Sequence, residues 1–371
     1  MSATLTGDGL RILVLATDAH GGFGGIAQYN RDVIEAMAGL DRIREITVLP
    51  RIAQEGHLAL PAKISYDLAG TGGIRSYLSR SLQHAISRGR PDLVYCAHIN
   101  LFPVARAISA ARRVPVVLAI YGIDAWSRPG GFAFRMLAPV ADLVISISRI
   151  TLDRFEAWSS KGRAPTAVLP NAIHASDFGL GNADNPLARR LGIAGRKAIL
   201  TFGRMSADER YKGFDEVMEV LPRLAARVPG IVYVAAGDGS DRPRLEAKAR
   251  SLGVADHVVF TGRVRDEDKV DLYRLADAYV MPSSGEGFGF VVLEALACGV
   301  PVVASSADGT REAVRGGELG LVVDPKDPGA LERAIIEALG KPKAIPPGLD
   351  YFSFANFQRR LQAALAQIVP V

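Results

Sequence analysis

The chain has 371 residues, 49% of them hydrophobic, with 44 Lys+Arg against 39 Asp+Glu and a net charge of +5. That length exceeds one ordinary core, so two domains are expected. No apolar run is long enough to span a membrane, and no Cys/His cluster has metal-site spacing. The charge is uneven: residues 1–172 carry +6 and the remainder −1. An anionic partner is expected for the first half. No nucleic-acid motif is recognised, so nucleic acid is not expected, and a surface of anionic lipid fits at least as well. The beginning of the chain shows no secretory pattern. Cys96 and Cys298 lie in apolar patterns, which predicts buried free thiols in a reducing cytoplasm rather than a disulfide.

Residues 11–17 read as the first strand. The loop after them, Asp18-Ala19-His20-Gly21-Gly22-Phe23-Gly24-Gly25, leads into a helix over 26–40. The glycine spacing is not G-x-G-x-x-G, so a standard dinucleotide fingerprint is not supported. A tight turn and a ligand loop stay open. A strand follows at 46–50. Residues 72–89 are helical, with Ile74, Tyr77, Leu78, Leu82, Ala85 and Ile86 recurring at helical spacing beside Arg75, Arg80, Arg88 and Arg90. This is either a core helix with solvated arginines or an interfacial helix beside an anionic bilayer. The next strand, 92–97, ends at His98, which reads as a hydrogen-bonded structural histidine or a ligand contact. Strand 114–120 ends in Tyr121-Gly122-Ile123-Asp124, and carboxyl ends of parallel strands are where ligands bind. Asp124 is either a helix cap or a functional carboxylate. A strand over 141–148, a helix over 151–158 and a last strand over 166–173 complete the first domain. The polar residues 182–186 read as linker.

The second domain opens with a strand over 198–202, followed by Gly203-Arg204-Met205 and Tyr211-Lys212-Gly213-Phe214. Strand 231–236 ends in Gly237-Asp238-Gly239, and strand 258–261 ends in Gly262-Arg263-Val264. Asp266-Glu267-Asp268 opens a helix, where acids favour the dipole, so it is not read as a metal site. Residues 279–304 are a strand, a glycine loop, a helix and a second strand, one βαβ unit of a parallel sheet. Glu286 lies in its loop and Glu294 eight residues later in its helix. Loop glycines let backbone approach a ligand closely, and carboxylates accept from sugar hydroxyls. A small strand over 320–324, a helix over 328–339, a proline-bounded break at 342–347 and a last helix over 354–368 close the chain.

The run E-G-F-G-F-x-x-x-E followed by A-x-A-C-G-V-P-V-V-A closely resembles the E-x7-E motif of retaining glycosyltransferases of family four, which have the GT-B fold. Gly203-Arg204 and Lys212-Gly213 are similar to that family's G-R…K-G motif, and Pro170-Asn171-Ala172-Ile173 to its P-N-G-I/V-D segment. The resemblance implies an α/β fold of two doubly wound Rossmann-like domains facing a cleft. Residues 1–180 would bind acceptor, with a C-terminal helix at 351–371 crossing back to them, and 181–350 would bind donor. Crossings near Asn182 and Pro346 would then serve as a hinge.

The family's roles carry over residue by residue. Arg204 and Lys212 would clamp the donor diphosphate, Glu294 would hold the ribose, and Glu286 would lie beside the sugar. Gly287 and the backbone of Phe288, Gly289 and Phe290 would hold sugar hydroxyls and phosphate. Arg263 and Val264 would meet the base, and Gly24 and Gly25 would lie under the phosphates. His20, Tyr121 and Asp124 would face the acceptor, with Asp124, Glu286, Arg204 and Lys212 at the chemistry. Tyr121 stands where the family has histidine. The sequence looks most like bacterial exopolysaccharide α-mannosyltransferases. That implies GDP-mannose as donor, a polyprenyl-diphosphate-linked oligosaccharide as acceptor, no metal or other cofactor, and a peripheral position on the inner face of the cell membrane. A UDP-sugar enzyme with another acceptor, a sugar-nucleotide epimerase and a non-catalytic sugar-binding protein are the alternatives.

Overall fold

A computed structural model describes residues 9–22, 24–52, 60–86, 90–127, 141–159, 164–181 and 185–371. The chain forms two compact units: Met1–Ala172 together with Phe354–Val371, and Ile173–Ser353.

The first unit is a parallel sheet of seven strands: β1 (Leu10–Ala16), β2 (Ile43–Pro50), β3 (Ile64–Tyr66), β4 (Leu93–Cys96), β5 (Val116–Ile120), β6 (Leu143–Ser146) and β7 (Thr166–Val168). Their order is β3-β2-β1-β4-β5-β6-β7. The central strands β4, β5 and β6 are buried throughout. This is the near-continuous apolar pattern of strands covered on both faces. The second unit is a parallel sheet of six: β8 (Lys197–Phe202), β9 (Ile231–Ala236), β10 (Val258–Phe260), β11 (Ala278–Met281), β12 (Val302–Ser305) and β13 (Leu321–Val323), in the order β10-β9-β8-β11-β12-β13. In each sheet the order reverses beside the first strand, between β1 and β4 and between β8 and β11. Loops leaving those strand ends border the crevice where such sheets bind ligands.

The last helix, Phe354–Leu365, belongs to the first unit, as the GT-B resemblance implied. Phe357, Leu361 and Leu365 are buried. Phe357 meets Tyr29 edge-on at 5.6 Å, and Gln358 Nε2 donates to Ala36 O at 3.0 Å, fixing the helix on Gly25–Ala38.

Several boundaries differ from the sequence reading. The first crossing between units lies at Ala172/Ile173, not near Asn182, and the second at Ser353/Phe354, not near Pro346. Polar composition marked 182–186 as linker, yet the residues before it are already tied to the second unit. Ile173 N–H donates to Phe352 O at 2.8 Å, and Arg274 Nε donates to Gly179 O at 3.0 Å. Asn182 itself, with Phe23 and Arg88, lies outside the described residues. β7 stops at Val168, because Pro170 lacks the N–H that a longer ladder would need. Strand β3 and the helices Phe102–Arg112, Phe214–Arg227 and Arg242–Ser251 were not anticipated. The helix over 72–89 runs from Ile74 to Ile86, and its apolar residues do not share one buried face. Tyr77 and Ser81 face the core, whereas Ile74, Leu78, Leu82 and Ile86 are exposed. Cys96 and Cys298 are buried free thiols, and burial pushes Cys96 up to about 12.

Candidate functional site

In the second unit two loops flank the reversal point. The loop after β8 holds Arg204 to Gly213, and the loop after β11 holds Pro282 to Gly289. They are packed directly on each other. Ser284 N–H donates to Tyr211 O at 2.8 Å. Gly285 lies under the Tyr211 ring, where an added Cβ would sit 2.5 Å from ring carbons. Gly213 has φ +89° and lies against Pro282. Only glycine combines that backbone with that approach.

This packing brings the sequence-predicted charges together. Lys212 Nζ donates to Glu286 Oε1 at 2.5 Å, and the Lys212 side chain is only 13% exposed. Arg204 is 78% exposed and pairs with Glu209. The Glu209 Oε2 atom lies 3.8 Å from Lys212 Nζ. Two cations therefore sit at a strand end with two carboxylates as their present partners, which is chemistry suited to an anionic ligand.

The backbone of Glu286 is held at both ends. Its N–H donates to Asp308 Oδ2 at 2.8 Å, and its carbonyl accepts from Gly309 N–H at 2.9 Å. Asp308 is buried and also accepts from Ser283 Oγ at 2.7 Å, Thr310 N–H at 3.0 Å and Thr310 Oγ1 at 2.7 Å. Burial pushes its carboxyl above the usual range despite these bonds. A Cβ on Gly309 would lie 2.0 Å from Gly287 O, so the two loops meet backbone to backbone.

Gly289, at φ +94°, starts the helix Phe290–Ala297. Among the described residues, the N–H groups of Gly287, Phe288, Gly289 and Phe290 make no hydrogen bond. They form a row of donors at a helix N-terminus. The Phe288 ring faces away from any ligand role: it is buried against Phe352 at 5.6 Å, so only its backbone is offered.

Glu294 is buried within this helix. Its Oε1 accepts from Lys269 Nζ at 2.5 Å and its Oε2 from Tyr273 OH at 2.5 Å. Lys269 and Tyr273 are one turn apart on the helix Lys269–Leu275, and they orient the carboxylate with lone pairs to spare for hydroxyl donors. Arg263 is exposed and Val264 partly buried, on the loop after the edge strand β10, and no hydrogen bond or ion pair joins them to the charged cluster. Asp268 pairs with Arg265 and Arg190. Among the described residues no three His, Cys, Asp or Glu side chains are gathered as a metal site.

In the first unit the loop after β1 borders the reversal point, and the end of β5 lies one strand beyond β4. Gly24, at φ +92°, caps the helix that begins at Gly25, and a side chain there would meet open space. His20 has both ring nitrogens engaged, Nδ1 with Tyr66 OH at 2.7 Å and Nε2 with Glu35 Oε1 at 3.0 Å. Tyr121 is buried, and its hydroxyl donates to Asn30 Oδ1 at 2.7 Å. Asn30 Nδ2 in turn donates to Asp18 O at 2.8 Å, tying β5 to the loop after β1. His98 accepts from Asn100 N–H at 3.1 Å and caps a short 3-10 turn, a structural role. Asp124 lies in the first turn of the short helix Ile123–Trp126. Its Oδ2 is buried with no hydrogen-bond partner, and burial pushes the carboxyl up to about 6 against several backbone amides that favour its charge.

Glu209, Lys269, Tyr273 and Asp308 escaped the sequence reading. Lys269, Tyr273 and Asp308 make sense only once two distant segments meet, whereas Glu209 lies in the same loop as its partners Arg204 and Lys212. The local signals were the three-residue spacing of Glu209 and Lys212 and the four-residue spacing of Lys269 and Tyr273.

Known proteins match both halves of the chain. Residues 187–345 match the family profile of Glycosyl transferases group 1, and residues 23–177 that of Glycosyltransferase Family 4. A GDP-mannose-dependent alpha-(1-6)-phosphatidylinositol monomannoside mannosyltransferase of Mycolicibacterium smegmatis is 33% identical over 288 residues, 72% of each chain. A glycogen synthase of Mycobacterium tuberculosis is 31% identical over 69% of this chain and 62% of its own length. The fold is shared with Anabaena HepE, solved in complex with UDP-glucose, at 23% identity and a TM-score of 0.74, over 96% of this chain and 99% of that one.

Proposed function

Because the chain belongs to the family-four glycosyltransferases of the GT-B fold, we propose that it transfers a sugar from a nucleotide donor to an acceptor hydroxyl with retention. The glycosidic bond from the sugar to the diphosphate breaks on the face where the bond to the acceptor oxygen forms. The acceptor proton passes to the leaving phosphate oxygen. Charge then builds on the diphosphate, and fixed cations stabilise it more in the transition state than before. Arg204 and Lys212 are those cations. Glu294, oriented by Lys269 and Tyr273, receives the ribose hydroxyls. Glu286 and the four unbonded amides that follow it receive the sugar. Asp124 serves the acceptor hydroxyl. The observation that carries this reading is the cluster of Arg204, Lys212 and Glu286 beside that row of amides.

The donor we propose is GDP-mannose and the acceptor a glycan on a phosphate-bearing lipid, the polyprenyl-diphosphate oligosaccharide of exopolysaccharide synthesis being one such lipid. The name of the Mycolicibacterium smegmatis relative supports mannose and a lipid acceptor. The basic first unit supports an anionic lipid surface at which the protein acts peripherally. Among the described residues no helix is long and apolar enough to cross a membrane. The glycogen synthase relative favours a second reading, a UDP- or ADP-type glucosyl donor with a soluble glucan acceptor.

One experiment separates these readings. Release of nucleotide is measured from GDP-mannose, UDP-glucose and ADP-glucose, with and without polyprenyl-diphosphate oligosaccharide, phosphatidylinositol mannoside or glucan, in EDTA. Acceptor-dependent release of GDP in the chelator is the expected result. Release from a glucosyl donor on glucan alone would establish the second reading. Loss of activity restored by a divalent ion would end the metal-independent scheme.

A further inference from the structure

Glu209 sits within the proposed clamp yet belongs to none of the roles above. Its Oε1 pairs with the Arg204 guanidinium, and its Oε2 faces Lys212 Nζ at 3.8 Å. That second oxygen is buried with no hydrogen-bond partner. A buried carboxylate oxygen left without a hydrogen bond costs free energy and calls for a reason. The side chain is mostly covered. The neighbouring Tyr211 ring has its hydroxyl pushed up by burial and by the charges of Glu286 and Glu209.

Counting charge supplies the reason. Arg204 and Lys212 are balanced by Glu209 and Glu286 in this arrangement. A bound diphosphate brings at least two further negative charges to the same cations. The site cannot hold both carboxylates and the diphosphate against two cations without like-charge repulsion. Glu286 is fixed by its backbone to Asp308 and Gly309. Glu209 lies in a stretch of 3-10 turn where its N–H donates to Ser206 O at 2.9 Å but its own backbone, at φ −121° and ψ 33°, breaks the helical geometry.

We propose that Glu209 is a resident counter-ion of the clamp. It neutralises Arg204 and Lys212 while no nucleotide is bound, yields them to the diphosphate, and takes them back as the nucleoside diphosphate leaves. This rests on reading Arg204 and Lys212 as the diphosphate clamp. It adds that the chain carries its own competitor for that clamp, which keeps product from being held too tightly.

The test is the binding of GDP and UDP to the whole chain by titration calorimetry. Glu209→Gln keeps an amide oxygen for Arg204 and removes the charge. It is expected to bind its preferred nucleoside diphosphate about tenfold more tightly than the parent, a change of roughly 1.4 kcal/mol. Arg204→Ala and Lys212→Ala are each expected to bind it at least about tenfold more weakly. In an Arg204→Ala background the gain from Glu209→Gln should shrink, because half of its partner set is gone. If the two cation variants weaken binding while Glu209→Gln binds as the parent or worse, Glu209 merely orients Arg204 and the counter-ion proposal is overturned, with the clamp intact. If neither cation variant changes binding, the clamp reading itself falls and takes the proposal with it.

Discussion

Asp308 holds the backbone N–H of Glu286 through the same oxygen, Oδ2, that accepts the Ser283 hydroxyl. Its other oxygen accepts both the N–H and the hydroxyl of Thr310. Every donor around this carboxylate points inward, so an amide cannot replace it. In either orientation the NH2 of Asp308→Asn would face a backbone N–H, Glu286 or Thr310, and leave a buried donor unpaired at a cost of about 1–3 kcal/mol. The expected outcome is a fall in turnover of nucleotide sugar of about tenfold or more, with nucleoside diphosphate binding nearly unchanged, because Arg204, Lys212 and Glu294 do not depend on Asp308. Steady-state kinetics beside calorimetry checks this. Equal losses for nucleotide and nucleotide sugar would reduce Asp308 to a general stabiliser of the unit.

Arg204→Ala and Lys212→Ala should lower turnover by about a hundredfold or more, the usual loss when a group aimed at developing charge is removed. The thermal midpoint should hardly move for Arg204→Ala, since its guanidinium is largely solvated and its ion pair is a weak source of stability. Lys212 is more covered and holds Glu286, so its removal should lower both numbers. Turnover within a few-fold of the parent in both variants would remove the assigned roles.

Asp124 gives a pH dependence with a definite sign. Its carboxyl ionises near 6 in the folded chain, against an ordinary value of 3.8, because burial penalises the charge. Above the ordinary value the unfolded chain has lost this proton while the folded chain keeps it. Stability contributed by this group is therefore present at low pH and lost as pH rises from about 4 to about 6, by about 3 kcal/mol. Asp124→Asn should abolish that part of the slope in chemical denaturation between those limits. If the ionised form serves the acceptor, the parent's kcat/KM for acceptor should also rise through pH 6. The asparagine variant should be slow and flat over the same range. A parent profile with no step near 6 would dissociate Asp124 from the chemistry.

The parts of this molecule that could be read from sequence are those written in one segment. Strand β11, the Glu286 loop, the helix bearing Glu294 and strand β12 all lie within residues 278–305, and apolar runs broken by Pro282 and glycines locate them. Arg204 and Lys212 were legible because they follow a strand end in a single loop. Lys269 and Tyr273 touch Glu294 across a gap of more than twenty residues, and Asp308 reaches Glu286 across a similar one. Nothing local marks such partners. Tyr121 shows the same limit. As a residue at the end of β5 it reads as a ligand contact, yet its hydroxyl is spent on Asn30, ninety-one residues away. Strand β3 escaped because its three residues, Ile-Ser-Tyr, form no apolar run, unlike the equally short β10 and β13, which are apolar throughout.

The helix Ile74–Ile86 tests the membrane reading. Ile74, Leu78, Leu82 and Ile86 recur every four residues and are 70%, 48%, 61% and 72% exposed, while Tyr77 and Ser81 face the core. One apolar row is thus left in solvent on a unit with a positive balance. Arg75 is exposed on the same helix, and Arg80 pairs with Asp67 at 2.5 Å. In that reading the helix would lie in a lipid interface with its apolar row among the acyl chains and its basic residues at the headgroups. Binding of the whole chain to vesicles containing phosphatidylglycerol should exceed binding to pure phosphatidylcholine, and should fall with salt as charges are screened. Leu78→Ser with Leu82→Ser should weaken it by tenfold or more, since inserting each leucine is worth about 1.5–3 kcal/mol. The thermal midpoint in buffer should not fall, because both side chains already face water. Co-sedimentation and a melting curve on the same samples decide it. Equal binding to both vesicles, or a double variant that binds as the parent does, would return this row to an ordinary solvent-facing surface.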